Sequence, residues 1–338
     1  MAARKPRVVV LSGPALFASF FDAEAEGRLS RSFRWTRNAA KAGTPRLRAL
    51  LADAEALVTT WDSPRFGEDL AALAPRLRLI AHCGGEVKSQ FARPLFERLV
   101  VTNAPGPMAP YVAELAVTFL LQAARRIDQH REALRRRSNQ AYEDAHLHGC
   151  GQETLIGRTV GLVGFGRIGR EIAQRLRPFG VRLLVHDPYH TATAIVRLGA
   201  RPLNLEAMLP QAEFLVLAAG LTDETRGMIG ARQLTRLPDG ATVVNVARGG
   251  LLDLAALTRE VRRGRLGCAL DVTDPLEPLP LGHPLRRLPG AVLTPHVGAG
   301  AVAVRRAMAD IVQGTLERFF RGERVTNRVT PAMLDLMT

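Results

Sequence analysis

The chain has 338 residues, of which 47% are hydrophobic and 23% are charged, and this composition excludes disorder as its main state. At about 100–200 residues per domain, the length excludes a single small module and predicts two domains. The formal charge is +14, but 43 of the 46 basic residues are arginines spread along the whole chain without a recognition motif, so we favour a solvated surface over a nucleic-acid site.

The first third of the sequence alternates short apolar runs with helical patterns. The stretches Pro45–Ala56 and Phe66–Ala74 are amphipathic and predict helices. Strands alternating with helices predict a parallel sheet covered on both faces. No apolar run is long enough for a membrane span, and Val8–Leu11 is too short for a signal-peptide core. The runs that predict strands are Arg7–Leu11, Ala56–Thr60, Leu77–Ala81 and Leu99–Thr102.

The middle of the chain predicts a helix followed by a loop. Tyr111 to Arg137 contains no Pro or Gly and keeps apolar residues at helical spacing, which predicts one long helix linking two domains. Ser138–Gln152 is polar and has no periodicity, which predicts a surface loop.

A second alternation of strands and helices follows this loop. Its six predicted strands match the number in a dinucleotide-binding domain. The Pro-free stretch Gly300–Phe320 predicts a final helix, which we expect to return to the first domain. The six predicted strands are Thr159–Gly164, Val181–His186, Glu213–Ala218, Thr242–Val246, Gly267–Val272 and Ala291–Thr294.

A glycine-rich turn, Gly164-Phe165-Gly166-Arg167-Ile168-Gly169, lies directly between a predicted strand and a predicted helix. Three glycines at this spacing allow a tight turn, close approach of a pyrophosphate and close helix–strand packing. The next strand ends in Asp187, whose carboxylate can bind both ribose hydroxyls of NAD and repels the extra phosphate of NADP. The motif therefore predicts an NAD site; the alternative is a plain glycine turn with a solvated aspartate.

Three polar residues follow later strands of the same predicted sheet. Arg248, Glu277 and His296 lie at or beyond carboxyl ends of strands, where open parallel sheets bind ligands. A guanidinium can bind a carboxylate or carbonyl oxygen, an imidazole can exchange a proton near neutral pH, and a carboxylate can hold that imidazole. Each residue alone is more typical of a surface or a turn. Together they predict hydride-transfer chemistry on a 2-oxo acid.

The sequence resembles the D-isomer-specific 2-hydroxyacid dehydrogenases. The resemblance rests on Gly157–Gly169, Asn245–Asp253, Ala269–Val272 and Thr294–Gly298, and it extends upstream to Val112-Ala113-Glu114. It implies a Rossmann-type NAD-binding domain, residues 109–298, inserted in a flavodoxin-like substrate domain, residues 1–108 plus 299–338, with the active site in the cleft.

The resemblance also implies roles for individual residues. Arg248 would bind and polarise the substrate, Glu277 would pair with His296, and His296 would be the acid/base. In place of the family's usual substrate loop the chain has His82-Cys83-Gly84-Gly85-Glu86-Val87-Lys88, where Gly84 and Gly85 could still present N–H groups to a carboxylate. Lys88 could add a positive charge, or it could be an exposed loop residue. The implied cofactor contacts are Gly164, Gly166, Arg167, Ile168, Gly169, Asp187, Thr222, Ala247 and Asp271.

The expected function is hydride transfer between NAD(H) and a small 2-hydroxy or 2-oxo acid, with D specificity. An NAD-sensing corepressor on the same fold is the alternative from another class, and formate or phosphite oxidation is a more distant one. We expect a homodimer, no nucleic-acid partner, no membrane partner and no metal. The cysteines Cys83, Cys150 and Cys268 have no CxxC spacing, and they fit reduced thiols and a cytoplasmic location.

Overall fold

The computed structural model describes residues 4–39, 43–135, 139–148 and 154–335. The chain divides into two compact units, one formed by residues 1–108 with 299–338 and the other by residues 109–298. The α/β fold class is confirmed, because each unit is built on a mainly parallel sheet with helices.

The first unit contains a six-stranded sheet among the residues described. Its strands are β1 (Arg7–Leu11), β2 (Arg34–Asn38), β3 (Ala56–Thr59), β4 (Leu79–His82), β5 (Val100–Thr102) and β13 (Arg328–Val329). They lie in the order β2-β1-β3-β4-β5-β13, and all are parallel except β13, which runs antiparallel to β5. The order 2-1-3-4-5 is flavodoxin-like. Strands β2 and β13 are not among the predicted strands, because β2 is a partly exposed edge strand containing two arginines and β13 has only two residues.

Helices cover both faces of this sheet. Val8 and Val10 of β1 belong to a core shared with Phe20 and with the last long helix, whereas Val9 and Leu11 belong to a core on the opposite face. This alternation follows from the two-residue period of a strand. The helices are α1 (Pro14–Phe20), α2 (Ala23–Ser32), α3 (Pro45–Asp53), α4 (Leu70–Leu73), α5 (Leu95–Arg98), α14 (Val302–Phe320) and α15 (Pro331–Leu334).

The second unit contains a seven-stranded parallel sheet within its described part. Its strands are β6 (Thr159–Val163), β7 (Arg182–His186), β8 (Arg201–Pro202), β9 (Phe214–Leu217), β10 (Thr242–Asn245), β11 (Gly267–Leu270) and β12 (Ala291–Leu293). They lie in the order β8-β7-β6-β9-β10-β11-β12. The order 3-2-1-4-5-6 of a dinucleotide-binding fold is present with one further strand, and the strand order reverses between β6 and β9. The prediction of six strands missed β8, which is too short to show a pattern.

The helices of the second unit precede the sheet or connect its strands. Single turns of 3-10 helix occur at Arg177–Phe179, Leu209–Gln211, Gly249–Leu251 and Pro284–Arg286. In the described ranges, no helix combines the length and the apolar character that crossing a membrane requires. The α-helices are α6 (Met108–Ala124), α7 (Ile127–Arg135), α8 (Asn139–His148), α9 (Arg167–Leu176), α10 (Ala192–Val196), α11 (Leu205–Met208), α12 (Ala231–Thr235) and α13 (Leu254–Arg262).

The prediction of one long helix from Tyr111 to Arg137 is wrong. Helix α6 ends at Ala124, α7 begins at Ile127, and Arg126 between them has a φ of +50°. A left-handed residue interrupts the helical hydrogen bonds, and the Gln122 amide donates to Asp128 across the break at 2.8 Å. Arg136 and Arg137 lie outside the described residues.

The predicted loop Ser138–Gln152 is also wrong over most of its length, because Asn139–His148 forms α8. Side chains four residues apart support this helix: the Gln140 amide donates to Asp144 at 2.8 Å, and the Tyr142 and His146 rings stack with centroids 5.9 Å apart. Residues 138 and 149–152 lie outside the described part of the chain.

Candidate functional site

The glycine turn after β6 has a shape that demands glycine at two of its three positions. Gly164 has a φ of +96°, and a Cβ atom added there would lie 2.5 Å from the Ala219 nitrogen. A Cβ atom added at Gly169 would lie 2.2 Å from the Gly164 oxygen, so α9 packs directly on the turn. A Cβ atom at Gly166 would meet no heavy atom within 4 Å. The turn therefore leaves open space at its middle glycine, before the N-terminus of α9, as a diphosphate requires.

Arg167 and Ile168 lie in the first turn of α9. Asp187 follows β7 and lies beside the glycine turn. Asp187 Oδ2 accepts the Phe165 N–H at 2.6 Å, and Oδ1 accepts the N–H groups of Tyr189 at 2.8 Å and His190 at 3.0 Å. Its side chain is 8% exposed. The carboxylate thus ties the glycine turn to the end of β7.

Burial opposes ionisation of Asp187, but hydrogen bonds from the His190 side chain and from neighbouring N–H groups outweigh it and lower the pKa of Asp187. His190 Nδ1 lies 3.0 Å from Oδ1, so Oδ1 already has three neighbouring donors and Oδ2 has one. The remaining acceptor capacity is therefore mainly on Oδ2. An ionised carboxylate beside the open glycine turn fits the ribose of NAD and disfavours the additional 2′-phosphate of NADP.

Thr222 lies beyond the carboxyl end of β9, next to the reversal of strand order. Its N–H donates to Thr225 Oγ1 at 2.8 Å, and the Thr225 hydroxyl donates to the Gly220 oxygen at 2.7 Å. Thr222 thus belongs to a compact turn at the edge where dinucleotides bind.

The turn after β10 carries Ala247 and Arg248 and is held by Asn245, which is fully buried. Asn245 Oδ1 accepts the Ala247 N–H at 3.1 Å, and Asn245 Nδ2 donates to the Arg248 oxygen at 2.9 Å. A Cβ atom at Gly249 would lie 2.2 Å from the Thr273 carbonyl carbon. The backbone on both sides of Arg248 is therefore fixed. Asn245 is not among the predicted site residues, and the signal that could have identified it is a polar residue at the end of an apolar strand.

Asp271 follows β11 and is 3% exposed. Its Oδ1 accepts the Thr294 hydroxyl at 2.5 Å and the Val297 N–H at 2.8 Å, and its Oδ2 accepts the Gly298 N–H at 2.9 Å. Its own carbonyl oxygen accepts the His296 N–H at 2.9 Å. Asp271 therefore fixes the backbone of the segment that carries His296.

His296 and Glu277 form a direct pair. His296 Nδ1 lies 2.5 Å from Glu277 Oε1, and Glu277 Oε2 accepts the Thr273 N–H at 3.2 Å. His296 has a φ of +55°, a conformation in which histidine is enriched. The imidazole is half exposed, and its Nε2 has no hydrogen-bond partner among the described residues. A carboxylate at Nδ1 leaves Nε2 to exchange a proton with a ligand.

The loop after β4 in the first unit carries Gly84 and Gly85. Their carbonyl oxygens accept the Ala104 N–H at 2.8 Å and the Asn103 side-chain amide at 2.6 Å, respectively. Within the described part of the chain, the N–H groups of Gly84 and Gly85 have no acceptor. Fixed carbonyl groups and available N–H groups suit an anionic ligand.

Lys88 is exposed, and its charge helps to lower the pKa of Asp335, for which the hydrogen bond from Arg93 is the largest cause. This places Lys88 close to a carboxylate of the protein. Across the described ranges, no group of three or more His, Cys, Asp or Glu side chains could hold a metal ion.

Comparisons with known proteins show which family the chain resembles. Residues 117–298 match the family model described as D-isomer specific 2-hydroxyacid dehydrogenase, NAD binding domain. The chain is 34% identical to a glyoxylate reductase of Korarchaeum cryptofilum over 284 residues, covering 82% of this chain and 83% of that one. It is 31% identical to a D-3-phosphoglycerate dehydrogenase of Methanocaldococcus jannaschii, covering 82% of this chain and 52% of that one.

A solved structure shows the same fold over nearly the whole chain. The crystal structure of the TT0316 protein from Thermus thermophilus superposes with a TM-score of 0.79 at 32% identity, covering 96% of this chain and all of that one. Nothing in these comparisons favours the corepressor alternative. The chain belongs to the D-isomer specific 2-hydroxyacid dehydrogenase family, and it is an NAD-dependent oxidoreductase of 2-hydroxy and 2-oxo acids.

Proposed function

We propose that this chain reduces a small 2-oxo acid to the corresponding 2-hydroxy acid, with glyoxylate as the simplest candidate and with D configuration wherever the product is chiral. The observation that carries the proposal is the His296–Glu277 pair, which lies after strands of the sheet that also carries the glycine turn. Glyoxylate is chosen because it is the substrate named for a relative that matches most of the chain.

His296 is the acid that completes the reduction. As the carbonyl carbon accepts a hydride, the carbonyl oxygen becomes an alkoxide, and His296 gives it the proton from Nε2. Glu277 stabilises the imidazolium form of His296 through Nδ1. Arg248 binds the substrate oxygens through two N–H groups of its guanidinium. In the reverse direction, His296 removes the hydroxyl proton.

NAD(H) supplies or accepts the hydride when it is bound. The diphosphate lies against the glycine turn formed by Gly164, Gly166 and Gly169. Asp187 selects against the 2′-phosphate of NADP. The other residues that contact NAD(H) in this proposal are Arg167, Ile168, Thr222, Ala247 and Asp271.

The N–H groups of Gly84 and Gly85 bind the substrate carboxylate. Their carbonyl groups are anchored, so the two donors are already oriented before a ligand arrives. Lys88 adds positive charge to this loop from its exposed position, although its charge is shared with Asp335.

The test is consumption of NADH by the purified protein with glyoxylate, hydroxypyruvate, pyruvate and a phosphorylated 2-oxo acid. We expect turnover with at least one small substrate and a large preference for NADH over NADPH. Wherever pyruvate or hydroxypyruvate is reduced, chiral chromatography should show the D product, since the product of glyoxylate is achiral. NADH binding without turnover of any of these acids contradicts the proposal.

We further propose that the protein is a homodimer. Helix α7 is amphipathic but contains no buried residue, and large apolar side chains on α7 and α8 are exposed, namely Ile127, Leu134, Tyr142 and Leu147. Such a surface favours a second copy as its cover. Light scattering after size exclusion tests this, and a monomeric mass at micromolar concentration contradicts it.

A cytoplasmic location is proposed from the thiols. Cys83 and Cys268 are buried and free, which is typical of a reducing compartment; Cys150 lies outside the described residues. Fractionation of cells that express the tagged protein tests this location.

A further inference from the structure

His82 is a buried imidazole that the proposed reaction does not use. It ends β4 and has no exposed surface. Its Nδ1 lies 3.0 Å from Thr59 Oγ1, whereas its Nε2 is buried and has no hydrogen-bond partner among the described residues. Buried polar atoms almost always have a partner, so this nitrogen requires an explanation.

The unpartnered nitrogen faces the glycine loop. A Cβ atom added at Gly84 would lie 2.4 Å from His82 Nε2 and 2.7 Å from Trp61 Nε1. Real Cβ atoms do not approach other atoms so closely, so any other residue at position 84 would displace one of the two rings. The imidazole and the indole nitrogens therefore flank the same backbone carbon.

The groups around Gly84 form a set of donors. The N–H groups of Gly84 and Gly85 and the indole N–H of Trp61 have no acceptor in the described part of the chain. If the Thr59 hydroxyl donates to Nδ1 of His82, Nε2 carries a proton and is a further donor. Such a set suits a ligand that presents several oxygen atoms.

An arginine packs against this set of donors. The Arg305 guanidinium carbon lies 6.0 Å from the centroid of the Trp61 ring, and Arg305 Nε is buried without a partner among the described residues. Phe20 contacts the indole edge-on, with centroids 5.2 Å apart, which fixes the ring from another side. Trp61 is nevertheless 40% exposed, so part of the indole is open to a ligand.

We propose that His82 and Trp61 recognise a hydrogen-bonding substituent on C3 of the substrate, beside the carboxylate that Gly84 and Gly85 bind. The inference rests on the proposed function, in which those glycines hold the carboxylate. C3 is only two bonds from the carboxylate carbon, and the two ring nitrogens flank Gly84. The favoured substrates are 3-hydroxy-2-oxo acids rather than acids with an apolar C3.

His82 acts in this site as a neutral group. Burial lowers the pKa of His82 to about 4, so the imidazole is uncharged near neutral pH. Since Trp61 is partly exposed and Nε2 of His82 is buried, the substituent meets the Trp61 N–H first.

The test compares hydroxypyruvate with pyruvate, which differ by one hydroxyl group on C3. We expect kcat/KM of the wild-type protein to favour hydroxypyruvate by about 100-fold, because buried donors left without a partner disfavour the analogue. His82→Asn keeps an amide near Thr59 and removes the group at Nε2, and Trp61→Phe keeps the ring and removes its N–H. Each variant is expected to lower the preference about tenfold, because kcat/KM falls for hydroxypyruvate and stays the same for pyruvate.

His82→Gln is the matched control, since its amide reaches the position of Nε2, and it is expected to keep most of the preference. NADH binding and the unfolding temperature are measured for every variant, and Trp61→Phe, at a partly exposed site, carries the test if His82→Asn does not fold. An unchanged ratio in both variants, or equal losses for both substrates, overturns the inference.

The wild-type protein separates the two proposals. Reduction of both acids with a ratio near one overturns this inference and leaves the proposed function standing. Failure to reduce any acid of the panel overturns the proposed function itself.

Discussion

Glu277 Oε1 lies 2.5 Å from Nδ1 of His296, and Asp271 holds the backbone of the same histidine through its carbonyl oxygen at 2.9 Å. The ring and the backbone of His296 are thus fixed by two different acidic residues. The ring is oriented by a partly exposed carboxylate, whereas the backbone is held by a buried residue. This arrangement leaves one imidazole nitrogen, Nε2, for chemistry.

Replacing His296 by glutamine should remove most of the turnover. General acid–base catalysis is typically worth about 10²–10⁴-fold in rate, so His296→Gln should lower kcat by that factor while NADH still binds. Steady-state kinetics and fluorescence titration with NADH measure the two properties. His283→Gln is the control, because His283 caps a single 3-10 turn through the Leu285 N–H. Wild-type kcat in His296→Gln would remove His296 from the role.

Neutralising Glu277 should slow reduction. Glu277→Gln can still accept from Nδ1, but it places no negative charge beside the imidazolium that gives up the proton. We expect a 10–100-fold lower kcat in steady-state kinetics. Glu206→Gln, which alters a surface pair with Arg236, is the control. A kcat equal to that of the wild type contradicts the role given to Glu277.

Replacing Asp271 tests whether this residue positions the segment that carries His296 or only contacts the cofactor. Asp271→Asn replaces one acceptor oxygen by an N–H₂ group that faces N–H or O–H donors, so the segment 294–298 loses hydrogen bonds. We expect about 1–3 kcal/mol lower stability and at least tenfold lower kcat. Thr294→Val, which removes one donor, should have a smaller effect on both. Weaker NADH binding with unchanged kcat would instead make Asp271 a cofactor residue alone.

The part of the site that could be predicted from sequence is the part encoded by local spacing. Gly164 and Gly169 occupy positions where a Cβ atom would strike backbone, so their spacing reports a local shape. Asn245 and the carboxylate of Asp271 act through burial and through contacts with segments up to 27 residues away. A single sequence does not reveal which polar residues are buried, so these supporting roles were missed.

The failures in helix prediction have similar causes. The break at Arg126 occurs in a sequence without Gly or Pro, and its bridge between Gln122 and Asp128 is visible only in three dimensions. Helix α8 is stabilised by polar and aromatic pairs four residues apart rather than by apolar periodicity. Patterns of apolar residues detect neither feature.

Removing the carboxylate of Asp187 should weaken discrimination between the two nicotinamide cofactors. Asp187→Ser removes a charged acceptor, so kcat/KM for NADH should fall about 10–100-fold. NADPH should improve relative to NADH, because the variant no longer repels the extra phosphate. Asp239→Ser, at an exposed aspartate of the same unit, is the control. An unchanged ratio of kcat/KM for the two cofactors contradicts the assignment of Asp187.

His82 should make the first unit less stable in acid. Burial lowers the pKa of His82 from 6.5 to about 4, so between these values the unfolded chain binds the proton and the folded unit does not. The unit therefore loses stability as pH falls through this window, by up to about 3 kcal/mol.

Two sequence facts make this loss measurable. Of the eight histidines, only His82 lies in residues 1–108 or 299–338, and both tryptophans, Trp35 and Trp61, lie there too. Urea unfolding followed by tryptophan fluorescence therefore reports the first unit and its one histidine. His82→Asn should flatten the dependence of the unfolding free energy on pH between about 6.5 and 4, whereas Thr59→Val, which keeps the imidazole, should retain it. Equal slopes in the wild type and His82→Asn would mean that this imidazole is not buried in its neutral form.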